Sequence, residues 1–167
     1  MGVCIGSDKG GRMAEKEYKV MLLDRTVDNT KFIFENIDSK LDMYKRAYAT
    51  EMSIMNEQPI PVFQFDDQQI CVAFTKEFEL LGFLAFGFNQ ISKILFIEHV
   101  YVVPNYRRKG VYSTMLKRIE KLAKDLKADK MCAFVFQKNW ESMQTHQKIG
   151  FKPAVLGYIK EVANDDN

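Results

Sequence analysis

"VVPNYRRKGVYSTML", residues 102–116, sets the end of an apolar run against a basic turn and then a glycine that opens a helix-like pattern. Proline lacks an amide hydrogen, so Pro104 closes the strand. Arg107, Arg108 and Lys109 crowd the turn before Gly110. The first amides of a helix have no intrahelical partner, and the helix dipole makes that end positive. Strand, turn and helix therefore form a seat for an anion, with the amides of Arg108, Lys109, Gly110, Val111, Tyr112 and Ser113 as donors. The phosphate-loop pattern GxxxxGK[ST] and the dinucleotide pattern GxGxxG are both absent. Taken alone, the stretch reads more readily as a solvated turn.

The flanking sequence supplies a frame. Downstream, residues 110–129 are strongly amphipathic, with Val111, Met115, Ile119, Leu122, Ala123 and Leu126 on one face and lysines on the other. "KMCAFVFQ" (130–137) predicts a buried strand, and 139–150 predicts a short helix that Gly150 ends at its C′ position. "FKPAVLGYIKEV" (151–162) predicts a final strand or two. Upstream, 15–27 reads as a first strand, and 28–55 as one long helix or two joined near Asp38 and Ser39, stopped by "QPIP". Apolar, aromatic runs at 62–65, 69–74, 80–88 and 93–103 with short polar breaks predict an antiparallel meander. The expected fold class is α/β (α+β): a mixed, mostly antiparallel sheet flanked by helices in a single domain over 15–162. Residues 1–14 read as a flexible leader and 163–167 as a polar tail.

The composition narrows the function. Forty-seven per cent hydrophobic residues support a packed core, and a net charge of +2 is no polyanion-binding composition. Cys4, Cys71 and Cys132 are odd in number and far apart, which suits a reducing, cytoplasmic setting without a disulfide framework. No run reaches the ~18 apolar residues of a membrane span. Gly2 and Cys4 suggest a myristoylation signal, but Gly6 stands where Ser or Thr is required.

Two motifs carry a resemblance. "VVPNYRRKGVYSTML" resembles the coenzyme-binding motif of the GNAT acetyltransferase superfamily, with Arg107 and Gly110 in place and Val102 and Pro104 at the usual strand end. "NWESMQTHQKIGF" resembles the second family signature through Asn139, Gly150 and Phe151. The resemblance spans about residues 15 to 162. It implies the GNAT fold and acetyl-CoA as cosubstrate, with no metal. The strand holding Val100, Tyr101 and Val102 would splay from the next one and receive the pantetheine arm. The pyrophosphate would rest on the Arg108–Ser113 amides, and Asn139 would contact the coenzyme from its other side. Tyr112 departs from the family, which has Gly or Ala there; its side chain leans toward the helix N-terminus and must swing aside or stack on the coenzyme.

Acetyl transfer from a thioester needs a neutral amine, a stabilised oxyanion and a proton for the leaving sulfur. Backbone amides of Val100 or Val102 suit the second task. By period-two alternation Glu98 shares a face with Val100 and Val102, and it resembles the glutamate that polyamine-type members carry nine residues before the motif arginine. It is the candidate general base or cation ligand; a salt bridge at a strand end is the bland alternative. His146 lies seven residues after Asn139, where the family has the tyrosine that protonates the thiolate. It is the candidate acid, against a surface histidine with water as acid. His99 falls on the opposite face, as core or pocket wall. Trp140, Phe83, Phe86, Phe88 and Phe96 read as core. No cysteine lies in either motif, so an acetyl-cysteine intermediate has no support.

The reading is therefore an N-acetyltransferase that moves acetyl from acetyl-CoA to a primary amine of a small molecule or protein, by direct attack in a ternary complex. The partners are acetyl-CoA and the amine, with no nucleic acid and no membrane, in a monomer or homodimer. A degenerate acyl-CoA-binding sensor is the rival reading; a nucleic-acid or phosphoprotein module fits the basic turn alone.

Overall fold

The computed structural model describes residues 18–23, 28–62 and 69–154. The expected leader at 1–14, most of the strand at 62–65, the end of 151–162 and the tail lie outside the described residues.

One sheet runs in the order β1 (Tyr18–Leu23), β2 (Gln69–Thr75), β3 (Leu80–Asn89), β4 (Ile94–Val102), β5 (Lys130–Ala133). The first four strands pair antiparallel with their sequence neighbours. β5 joins β4 in parallel over four residue pairs, Ile94↔Lys130 to Ile97↔Ala133. Parallel neighbours need a crossover, and α2 (Val111–Asp125) is that crossover. α1 (Asp28–Asn56) is a single helix rather than two, and α3 (Trp140–Lys148) closes the described chain.

Each face of the sheet buries one helix. Phe34, Ile37, Leu41, Tyr48 and Met52 of α1 pack on Ile70, Val72, Phe83, Ala85 and Tyr101. Val111, Met115, Leu116, Ile119 and Ala123 of α2 pack on Cys71, Leu84, Phe86, Leu95 and Ile97. A strand covered on both sides reads as a continuous apolar run, which is why "QICVAF" and "LLGFLAFGF" show no alternation. Trp140 is 68% exposed and Phe134 71%, so the expected core place of Trp140 is corrected, while Phe83 and Phe86 are buried as expected. Trp140 opens α3 at its first turn.

β4 carries one extra residue. Ala85 faces His99 and Phe86 faces Ile97, so the register skips Glu98, which forms a bulge. The bulge overturns the expected placing of Glu98. Ile97, Val100 and Val102 all pack toward α2. Glu98 Oε1 instead lies 3.3 Å from where a Cβ on Gly87 would stand. Gly87 sits between Phe86 and Phe88, both of which pack toward α2, so the carboxylate is on the α1 face with His99.

Candidate active site

The β4–β5 ladder stops at Ile97 and Ala133, one residue before the bulge, with a last contact from the Phe134 amide to the Ile97 carbonyl at 3.3 Å. Past that point the strands part, and a cleft opens that Tyr48, Glu98, Val100, Phe134, Asn139 and His146 help to line.

The open edge of β4 has usable backbone. Val103 donates to the Leu81 carbonyl at 2.9 Å. Alternation along an antiparallel ladder then turns the main-chain groups of Tyr101 and His99 to β3 and those of Val100 and Val102 to the gap. Of the three residues expected to meet a pantetheine arm, Tyr101 is therefore committed to the sheet, and its side chain is buried against Tyr44 and Phe83. Val102 offers its amide, while its carbonyl accepts Arg107 Nε at 2.9 Å.

Arg107 is paired within the protein. Its guanidinium forks onto both oxygens of Glu51 at 2.8 Å and stands 5.5 Å over the Tyr101 ring. It fastens α1 to the end of β4. Lys109 rests over the Tyr106 ring at 5.5 Å. The turn backbone itself is unusual. Arg108 and Gly110 both have left-handed φ, 62° and 81°, a pattern that turns successive amides into a concavity. Glycine takes that conformation at no steric cost, which accounts for Gly110 as the N-cap of α2. Among the described residues no side chain caps the helix, no acid stands in its first turn, and its first bond is Thr114 N–H to the Gly110 carbonyl at 2.9 Å. The amides of Val111, Tyr112 and Ser113 thus lie ahead of the hydrogen-bonded ladder.

α3 is capped differently. Asn139 Oδ1 accepts the Ser142 amide at 3.0 Å, so this residue builds the helix end as well as lining the cleft. Gly150, with φ 98°, follows the last turn as expected.

Tyr112 and His146, the two departures from the family pattern, meet. Tyr112 swings toward α3 and its hydroxyl lies 2.9 Å from His146 Nε2. His146 Nδ1 is 2.7 Å from the Ser142 carbonyl, an acceptor, so Nδ1 carries the proton and Nε2 accepts from Tyr112. Burial lowers the His146 pKa, opposed by the Ser142 carbonyl, and burial raises that of Tyr112. Both groups are therefore neutral. His146 is buried, which removes the surface-histidine reading, yet both its ring nitrogens are engaged.

On the other side of the cleft, burial raises the Glu98 carboxyl above its ordinary range. His99, 3.5 Å from the Tyr48 hydroxyl, is pushed down to about 4 by burial. Tyr48 and Ser142 are site residues that the sequence reading missed. Tyr48 fits the apolar stripe of α1, and Ser142 differs from any helix serine only in its spacing from Asn139.

A splayed parallel pair beside an uncapped helix end agrees with the family comparison. The model for the acetyltransferase (GNAT) family matches residues 36–151, more than half of the chain. The chain belongs to this family. A curated relative, aminoglycoside N(6')-acetyltransferase type 1 from Acinetobacter genomosp. 13, is 24% identical over 110 residues, 65% of this chain and 74% of its own. A protein of the same name from Acinetobacter baumannii is 31% identical over 63 residues, 38% of this chain and 43% of its own. The solved aminoglycoside N-acetyltransferase AAC(6')-Iy in complex with CoA has a TM-score of 0.59 at 16% identity, over 87% of this chain and 95% of that one. That likeness establishes the shared GNAT fold.

Proposed function

We propose that the protein transfers the acetyl group of acetyl-CoA to a primary amine by direct attack within a ternary complex. The observation that carries this reading is the parting of β4 from β5 at Ile97, beside the uncapped start of α2. An extended amide-bearing arm fits the open edge at Val100 and Val102. A pyrophosphate fits the amides of Arg108 to Ser113, with Asn139 flanking the cleft.

Glu98 takes a proton from the incoming ammonium, directly or through water. The neutral nitrogen then attacks the thioester carbonyl carbon. The oxygen gains charge, met by an amide on the open edge of β4. The C–S bond breaks, the attacking nitrogen gives its second proton to solvent as the amide product forms, and the thiolate takes one proton through the Ser142 hydroxyl from His146 once solvent has protonated that ring; both residues line the cleft. Solvent restores that proton. The free thiols Cys71 and Cys132 suit a reducing compartment such as the cytoplasm.

Thermal melting with and without acetyl-CoA tests the coenzyme site. Acetyl-CoA raises Tm in the wild type, and Gly110→Glu abolishes the rise, because a side chain at a left-handed position brings both strain and like charge to the phosphates. An undiminished rise in the variant places the coenzyme elsewhere. A rise without thiol release on any amine supports the sensor reading.

A further inference from the structure

The amine side of the cleft carries an aromatic shelf. Phe96 and Ile97 point to opposite faces of β4, and Ile97 packs toward α2, so Phe96 looks out on the α1 side. Phe134 stacks flat on it, with centroids 5.9 Å apart and planes 5° from parallel. Phe134 is 71% exposed and lines the cleft along with Glu98. Glu98 lies over Gly87, which has no side chain to fill the floor beneath the carboxylate. A ring on Phe134 and a nitrogen at Glu98 would thus belong to one ligand at the mouth of the splayed strands.

Charge decides between kinds of amine. Glu98 is the sole acid among the described residues that line the cleft. A polycation carries several ammonium groups into this space, and each one desolvated without a carboxylate is penalised. A single amine needs one acid and gains from the exposed ring face. We infer that the acceptor is a primary monoamine on an aromatic, flat body, its ring on Phe134 and its nitrogen beside Glu98; this rests on the acetyl-transfer reading. The site thereby differs in acceptor chemistry from the polycationic substrates that the names of its relatives denote.

Thiol release from acetyl-CoA is measured with 2-phenylethylamine and tryptamine against kanamycin and spermidine. The aryl amines show kcat/KM higher by about tenfold or more, the size of one good aromatic contact. Phe134→Ala raises KM for 2-phenylethylamine by about tenfold, while the Tm rise with acetyl-CoA persists and Phe134→Tyr restores the KM. Phe134 is exposed, so the variants fold. Faster turnover of kanamycin or spermidine, or an unaltered KM in Phe134→Ala, overturns the shelf and leaves acetyl transfer standing. If no amine releases thiol, calorimetric binding of 2-phenylethylamine to the CoA-loaded protein decides. Binding that Phe134→Ala loses upholds the shelf and removes the transfer reading; no binding removes both.

Discussion

A tyrosine hydroxyl 2.9 Å from an imidazole nitrogen, itself held from behind by a backbone carbonyl, leaves that imidazole one stable arrangement. The Tyr112 O–H bond favours the neutral ring, because it is made to a lone pair that protonation would consume. Removing it in Tyr112→Phe therefore raises the His146 pKa from its burial-lowered value, as followed by NMR of the imidazole carbons. No movement of the titration would mean that burial alone sets the value. The same imidazole bears on turnover. His146→Phe keeps a ring but has no proton to pass, and kcat falls by about a hundredfold if His146 is the acid. A native rate in that variant assigns the proton to water. Tyr112 thus replaces the small residue of the family motif without blocking the helix end, since its bulk is spent against α3.

At the scale of elements, the bulge at Glu98 is what separates β4 from β5. It has a clean test because of how the register runs. Ile97 and His99 already face consecutive residues of β3, Phe86 and Ala85. Deleting Glu98 makes them consecutive on β4 as well, and every side chain from His99 to Val102 keeps its present face. The deletion protein therefore folds, with a Tm within a few degrees of the wild type, as expected for a change of less than ~1 kcal/mol. Its straightened β4 continues pairing with β5, and the acetyl-CoA-induced rise in Tm disappears. Persistence of that rise in the folded deletion protein would show that the cleft does not depend on the bulge.

The whole molecule holds two histidines, and both are kept neutral by burial. The unfolded chain protonates them near their ordinary ~6.5. Below that pH the unfolded state binds more protons, so stability falls as pH drops, and for His99 the loss continues to about 4. The raised Glu98 carboxyl acts with the opposite sign, favouring the folded state as pH falls. Melting scans from pH 7 to 4 therefore show a declining Tm that flattens in the paired variant His99→Asn, His146→Asn; an equally steep decline there shifts the cause to other groups. Much of the fold was legible beforehand because its signals are local. The amphipathic α2, the proline-ended β4 and the uncapped glycine start of the helix are each written in adjacent residues. The bulge was not, because "ILFIEHVYVV" is apolar on both faces and gives alternation nothing to register against. Nor was the Tyr112–His146 contact, which joins residues 34 apart in the chain. The charge of Arg107 was legible, but its destination on Glu51 required the packing of α1.

The order β1-β2-β3-β4 in space repeats the order in the chain, and only β5 must cross over to find its place. The β2–β3 and β3–β4 hairpins close short loops, which costs little chain entropy, whereas β1 pairs with β2 across the span of α1 and the parallel ladder waits for α2 to form and fold back. The meander and its α1 cover can therefore assemble as one early unit. β5, held by only four pairs, docks last and leaves first. The cleft is then a seam between the early and late parts of the folding reaction, and a coenzyme lying in that seam slows unfolding by bridging the piece that would otherwise detach.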